Sequence, residues 1–180
     1  MNLVERLKGI LLSPKTEWPK IAAEPMTVQG IYTNWVMLLG VIGPLAVLLS
    51  TQSLTLALGQ YAMLLAITAL VALVVDALAP SFGGQKDFVA ALKLSAFSYT
   101  AAFVGGIFAL LGALGGILSL AAAAYAWYTF FLGAPVLGKC APEKALPYTI
   151  VVVIAGLVMG IVIGTALGGL GLAPQLAMPG

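Results

Sequence analysis

The sequence predicts an all-α polytopic membrane protein with five transmembrane helices, its N-terminus in and its C-terminus out. Three observations predict this. Of 180 residues, 62% are hydrophobic and only 8% charged, against about 25% charged in a soluble globular domain. Residues 25–75, 94–138 and 145–180 carry no charge, giving uncharged runs of 51, 45 and 36 residues. All eight lysines and arginines fall outside those runs. A chain this short has too little interior to hide so much apolar surface, so its solvent is lipid.

The elements follow in order. Residues 1–30 form a cytoplasmic or interfacial amphipathic segment. Leu3, Leu7, Ile10 and Leu11 recur at helical spacing, which predicts a short helix on the membrane surface. Ser13-Pro14 then supplies an N-cap and a proline at the first helical position. Residues 15–24 follow, with Trp18 and Ile21 as apolar anchors. The preferred reading of this segment is an interfacial anchor that positions the first span. Its rival is a docking surface for a cytoplasmic protein partner.

The transmembrane domain covers residues 31–170. Crossing a hydrocarbon core of ~30 Å takes ~20 helical residues, so the first two uncharged runs hold two spans each and the third holds one. The first span is 31–49, closed by Ser50-Thr51-Gln52-Ser53, with Tyr32 and Trp35 at its cytoplasmic end, where aromatic rings favour the headgroup layer. The second is 54–79, stopped by Pro80. The third is 94–111, followed by a turn at Gly112 and Gly115-Gly116. The fourth is 117–136, and the fifth, after Pro147, is 148–167. Residues 171–180 are a short extracytoplasmic tail. The runs are too long, and alternate too little, for barrel strands. No cleavable signal peptide is expected, because the first long apolar stretch follows some two dozen charged and mixed residues.

The basic residues set the orientation. Arg6, Lys8, Lys15 and Lys20 precede the first span, Lys86 and Lys93 lie between the second and third, and Lys139 and Lys144 between the fourth and fifth. With five spans all eight share one side, and the positive-inside rule makes that side cytoplasmic.

The same inventory narrows function. A net charge of +2 gives no nucleic-acid footprint. Histidine is absent, which removes the usual general base and the commonest metal ligand. Cys140 is the single cysteine, so one chain can form neither a disulfide nor a thiolate metal cluster. Lys93 and Ser98 are five apart and do not share a helix face, which disfavours a Ser-Lys dyad. The expectation is a non-enzymatic protein with no metal and no cofactor.

Two candidate sites remain. The first is a polar intramembrane group of Asp76, Lys93, Ser98, Tyr99, Thr100, Tyr125 and Tyr128. Asp76 lies about one turn from the cytoplasmic end of the second span, where it would serve proton or ion movement, or would snorkel or pair with Lys93. The hydroxyls of the third span suit interhelical hydrogen bonds. Tyr125 and Tyr128 share a face in an aromatic cluster placed too centrally for an interfacial belt. The second is the run Gly156, Gly160, Gly164 and Gly168, which strips one face of the fifth span for close helix approach. The approaching helix belongs to the same chain or to a second copy in a homo-oligomer.

Several stretches together resemble the bacterial branch of the Yip family, the Ypt/Rab-interacting membrane proteins. They are ILLSPKTEWPKIAAEPMTVQGIYTNWV at 10–36, LAPSFGGQKDFVAALKLSAFSYT at 78–100, and YAWYTFFLGAPVLGK with APEKALPYTIVVVIAG across 125–156. Members often carry proline where this chain has Ala101, and methionine near Leu137-Gly138. The resemblance implies five spans and a cytoplasmic N-terminus, and it supplies no known catalytic residues to map onto this chain. Eukaryotic relatives bind Rab-type GTPases in vesicle traffic, a role that does not carry over to a bacterial cytoplasmic membrane. The leading expectation is an inner-membrane protein that organises or scaffolds membrane components through helix packing and cytoplasmic loops, in contact with membrane lipids. The alternative is a small channel or transporter with a polar pathway near Asp76 and the third and fourth spans.

Overall fold

The computed structural model describes residues 2–169, with side-chain surroundings up to Thr165. The described residues form helices and short connections. They run as α1 (Leu3–Leu12), α2 (Pro14–Ala23), α3 (Val28–Thr51), α4 (Leu54–Leu78), α5 (Phe88–Ser98), α6 (Thr100–Gly105), α7 (Gly112–Leu137) and α8 (Ala145–Gly169). Four stretches are long and apolar enough to cross a membrane: Val28–Thr51, Leu54–Phe82, Phe88–Leu137 and Pro142–Thr165. The third holds 50 residues, and its backbone reverses inside it. After a 3₁₀ segment, Gly106–Leu111, Gly112 takes φ 57° and ψ −131°, which a side chain would resist. α7 then returns along α5 and α6, and the Thr129 hydroxyl donates to the carbonyl of Ser98 at 3.0 Å.

Local chemistry explains the limits. Gln52 turns left-handed at φ 55° to end α3, and the Ser53 hydroxyl caps α4 by accepting from the Leu56 N–H. α4 then closes through a 3₁₀ turn containing Pro80. α5 starts at Phe88, not at 94, because the Asp87 carboxylate accepts from the Ala90 N–H at 3.0 Å and caps it. Lys93 therefore sits inside the helix, where the expectation made it a boundary. α7 likewise begins at Gly112, five residues before 117. Within α3, residues Tyr32–Val36 wind as a π-helix.

The largest fully buried side chains include Trp18, Trp35, Phe97 and Tyr148. Trp35 corrects the headgroup-belt expectation: its ring lies 4.5 Å from Phe97 and its Nε1–H donates to Thr100 Oγ1 at 3.1 Å. Outward faces of the long helices are apolar, with Leu49, Leu58, Leu120 and Ile161 all more than half exposed. A surface of that kind suits lipid and not water.

Candidate functional site

The basic segments meet at one end of the bundle. Phe82 accepts from the Ala141 N–H at 3.3 Å, and Gly84 passes so close to the carbonyl of Gly138 that no Cβ would fit. The α4–α5 and α7–α8 connections thus lie side by side. The α1–α2 hairpin is docked on the bundle through α7. Trp18 and Ile21 are fully buried. The Trp18 indole N–H donates to the Thr129 carbonyl at 3.0 Å, and its ring fills the space left by Gly133, where an added Cβ would meet Trp18 Cε2 at 2.6 Å.

Charges clasp the hairpin. Arg6 on α1 pairs with Glu17 of α2 at 2.6 Å and with Glu24, while Lys20 pairs with Glu17 at 2.9 Å. Glu17 is only 5% exposed, and Gly9 admits it: a Cβ there would stand 2.5 Å from the Glu17 carboxyl carbon. Lys93, 6% exposed, donates to the carbonyls of Ile21 at 3.1 Å and Glu24 at 2.5 Å. A cation on the last carbonyls of α2 satisfies orphan acceptors and opposes the negative end of the helix dipole. Each charge of the clasp has a partner, the condition under which burial is tolerated. Beside the clasp opens a cavity of about 570 Å³, bounded by Leu3, Glu24, Met26, Ile31, Asn34 and Trp35 among others. Its wall includes the π-turn of α3, a distortion that often accompanies functional sites.

The candidate polar residues are not gathered in one place. Lys93 does not pair with Asp76; its partners are the two α2 carbonyls. Asp76 is half-buried, with Oδ1 enclosed and unpartnered. Thr100 is spent on Trp35 and the Phe97 carbonyl, and Ser98 Oγ is buried without a partner. Tyr99 points away, its hydroxyl 3.6 Å from where a Gly156 Cβ would stand. Tyr125 donates to the Leu11 carbonyl at 2.7 Å, while Tyr128, its ring 5.8 Å from Tyr125, is 44% exposed. Along α8, Gly156 meets Tyr99 and Val71 within the chain, whereas a Cβ at Gly160 or Gly164 meets nothing within 4 Å. The surroundings of Gly168 lie outside the described residues.

Sequence reasoning missed the partners that matter here. Arg6, Glu17 and Glu24 are spaced 11 and 7 apart on two helices, and nothing local joins them to Lys93. The one available signal was that Glu17 and Glu24 alternate with Lys15 and Lys20 in the segment ahead of the first span. Cys140 is buried in the α7–α8 connection, and that burial pushes its thiol above the ordinary value.

A family model described as the Yip1 domain matches residues 8–163. No curated protein and no solved structure matches the chain.

Proposed function

The chain belongs to the Yip1-domain family of multi-pass membrane proteins, and from that premise we propose that it is a non-enzymatic organiser of membrane components. It would act in the cytoplasmic (inner) membrane of a bacterium through the face that its basic segments share. The observation that carries the reading is the clasped end of the bundle, where Lys93 of α5 holds the end of α2 beside the 570 Å³ cavity and the two basic connections lie side by side. Five crossings, N-in and C-out, follow from counting the reversal at Gly112 as a turn between two spans and from putting all eight basic residues on one side. Cytoplasmic proteins and lipid headgroups are the partners such a face would meet.

The transport alternative has one observation in its favour, the enclosed and unpartnered Oδ1 of Asp76. Against it, Lys93, Thr100 and Tyr125 have their polar atoms committed to backbone carbonyls. Photo-crosslinkers at Met26 and Asn34, beside the cavity, should trap specific proteins in intact membranes, with adducts lost in Lys93→Met. Reconstituted vesicles test the alternative. A cation or proton permeability abolished by Asp76→Asn would replace the scaffold reading with transport.

A further inference from the structure

The bonds that tie down the N-terminal hairpin also measure its depth. At its open end Lys93 holds the carbonyls of Ile21 and Glu24, and Leu3 lines the same cavity as Ile31 and Asn34 at the start of α3. Farther in, Trp18 reaches Thr129 of α7, and Leu11 accepts from Tyr125. So α1 runs inward and α2 returns to the same end.

Tyr125 stands 12 residues from the Leu137 end of α7, about 18 Å of helix at ~1.5 Å per residue. Its side chain leans toward the helix N-terminus, still farther from Leu137. α7 has 26 residues and is ~39 Å long, about 9 Å more than a ~30 Å hydrocarbon core. Even if that whole excess protrudes beyond the membrane at Leu137, the Leu11 carbonyl lies about 9 Å inside the hydrocarbon.

The composition of the hairpin fits that depth. Residues 9–14 carry no charge, and the flanking Lys8 and Lys15 are exposed, with stems long enough to carry their ammonium groups outward. Arg6 and Glu17 are paired, with Glu17 buried and Arg6 partly so. Backbone groups at the tip find partners: Ser13 N–H donates to Gly9, the N–H groups of Thr16 and Glu17 donate to the Ser13 carbonyl, the Leu11 carbonyl accepts from Tyr125, and Pro14 has no N–H to satisfy. Hydrocarbon demands this of any backbone it surrounds. Leu12, at the very turn, is 78% exposed.

We propose that α1–α2 is a re-entrant hairpin whose tip, residues 11–14, is inserted among the acyl chains of a single phospholipid leaflet. Its partner is lipid, and each copy of the protein occupies extra area in that leaflet alone. The inference does not rest on the scaffold reading.

The test uses the full chain in phospholipid nanodiscs, where both faces are open to solvent. Cys140→Ser removes the native thiol, and a single bimane-labelled cysteine is placed by Leu12→Cys, Val4→Cys or Lys86→Cys. All three side chains are exposed, so the probe displaces no packing. Lipids brominated mid-chain should quench bimane at position 12 at least threefold more than at position 86, with position 4 between them. Aqueous iodide should give the reverse order. Iodide quenching at position 12 equal to that at position 86 would overturn the proposal. So would stronger quenching by mid-chain bromines at position 4 than at position 12, since the hairpin would then lie flat at the surface.

Discussion

Two glycines that touch should respond oppositely to the same substitution. Gly43 of α3 and Gly106, at the start of the 3₁₀ segment, form the crossing of those elements. A Cβ added to Gly106 would stand 2.7 Å from Gly43 Cα and 2.8 Å from its nitrogen. Both are backbone atoms, so no rotamer change relieves the clash and the two segments must separate. A Cβ added to Gly43 meets Gln60 Nε2 at 3.6 Å and Gly106 Cα at 3.7 Å, ordinary contact distances. Gly106 has φ −54°, which alanine adopts freely, so conformational strain does not enter. Alanine gains up to ~1 kcal/mol over glycine in a helix, while overpacking costs ~1–3 kcal/mol. Gly43→Ala should therefore be neutral or stabilising by up to ~1 kcal/mol. Gly106→Ala should lose roughly 1–2 kcal/mol net. Unfolding in mixed micelles with increasing dodecyl sulfate measures both. If Gly106→Ala unfolds at the same detergent fraction as Gly43→Ala or later, the two segments do not cross at these glycines.

Other substitutions probe the clasp and α8. Trp18→Ala should cost about 3–5 kcal/mol and speed tryptic cleavage at Lys15 and Lys20, whereas Trp18→Phe, losing mainly the bond to Thr129, should cost only ~1 kcal/mol; equal proteolysis of the two would contradict the docked hairpin. Lys93→Met should destabilise by roughly 1–3 kcal/mol, seen as earlier release of the hairpin than of the bundle in hydrogen exchange. Because burial raises the Cys140 pKa, less thiolate exists at any given pH. Iodoacetamide labelling at about pH 8.5, where an ordinary thiol is half ionised, should be below half-maximal and still climbing; a plateau there would refute the shift. Leu at Gly160 or Gly164, where a Cβ meets nothing within 4 Å, should leave monomer stability within ~0.5 kcal/mol. Loss of a crosslinked dimer in the same variants would assign that face to a second copy.

What the sequence made legible was local. Ser53 and Pro80 bracket α4, and Pro14 marks the start of α2, where the Ser13 side chain makes no cap bond, because caps and prolines act within a few residues. Charge content revealed the apolar stretches, since lipid excludes unpaired charge. The site was less legible. Lys93 looked like the edge of a span because its partners, the carbonyls of Ile21 and Glu24, lie 72 and 69 residues away. The same non-locality hid Gly133, whose missing side chain is the space that Trp18 fills. Four evenly spaced glycines looked equivalent, yet Gly156 has neighbours and Gly160 has none, a difference set by where α8 leaves the bundle and not by spacing.

The Trp18–Thr129 bond also has a meaning in time. Its partners are 111 residues apart, so at ~5–20 residues per second a ribosome needs roughly 6–20 s to make the second after the first. Throughout that interval Trp18 and Ile21 exist without their socket. Nearly all of the polypeptide up to α7 must be threaded in the correct sense before the first-made helices can seat. Closure of the hairpin is thus a final stitch, available only to a chain whose later helices have been laid down correctly.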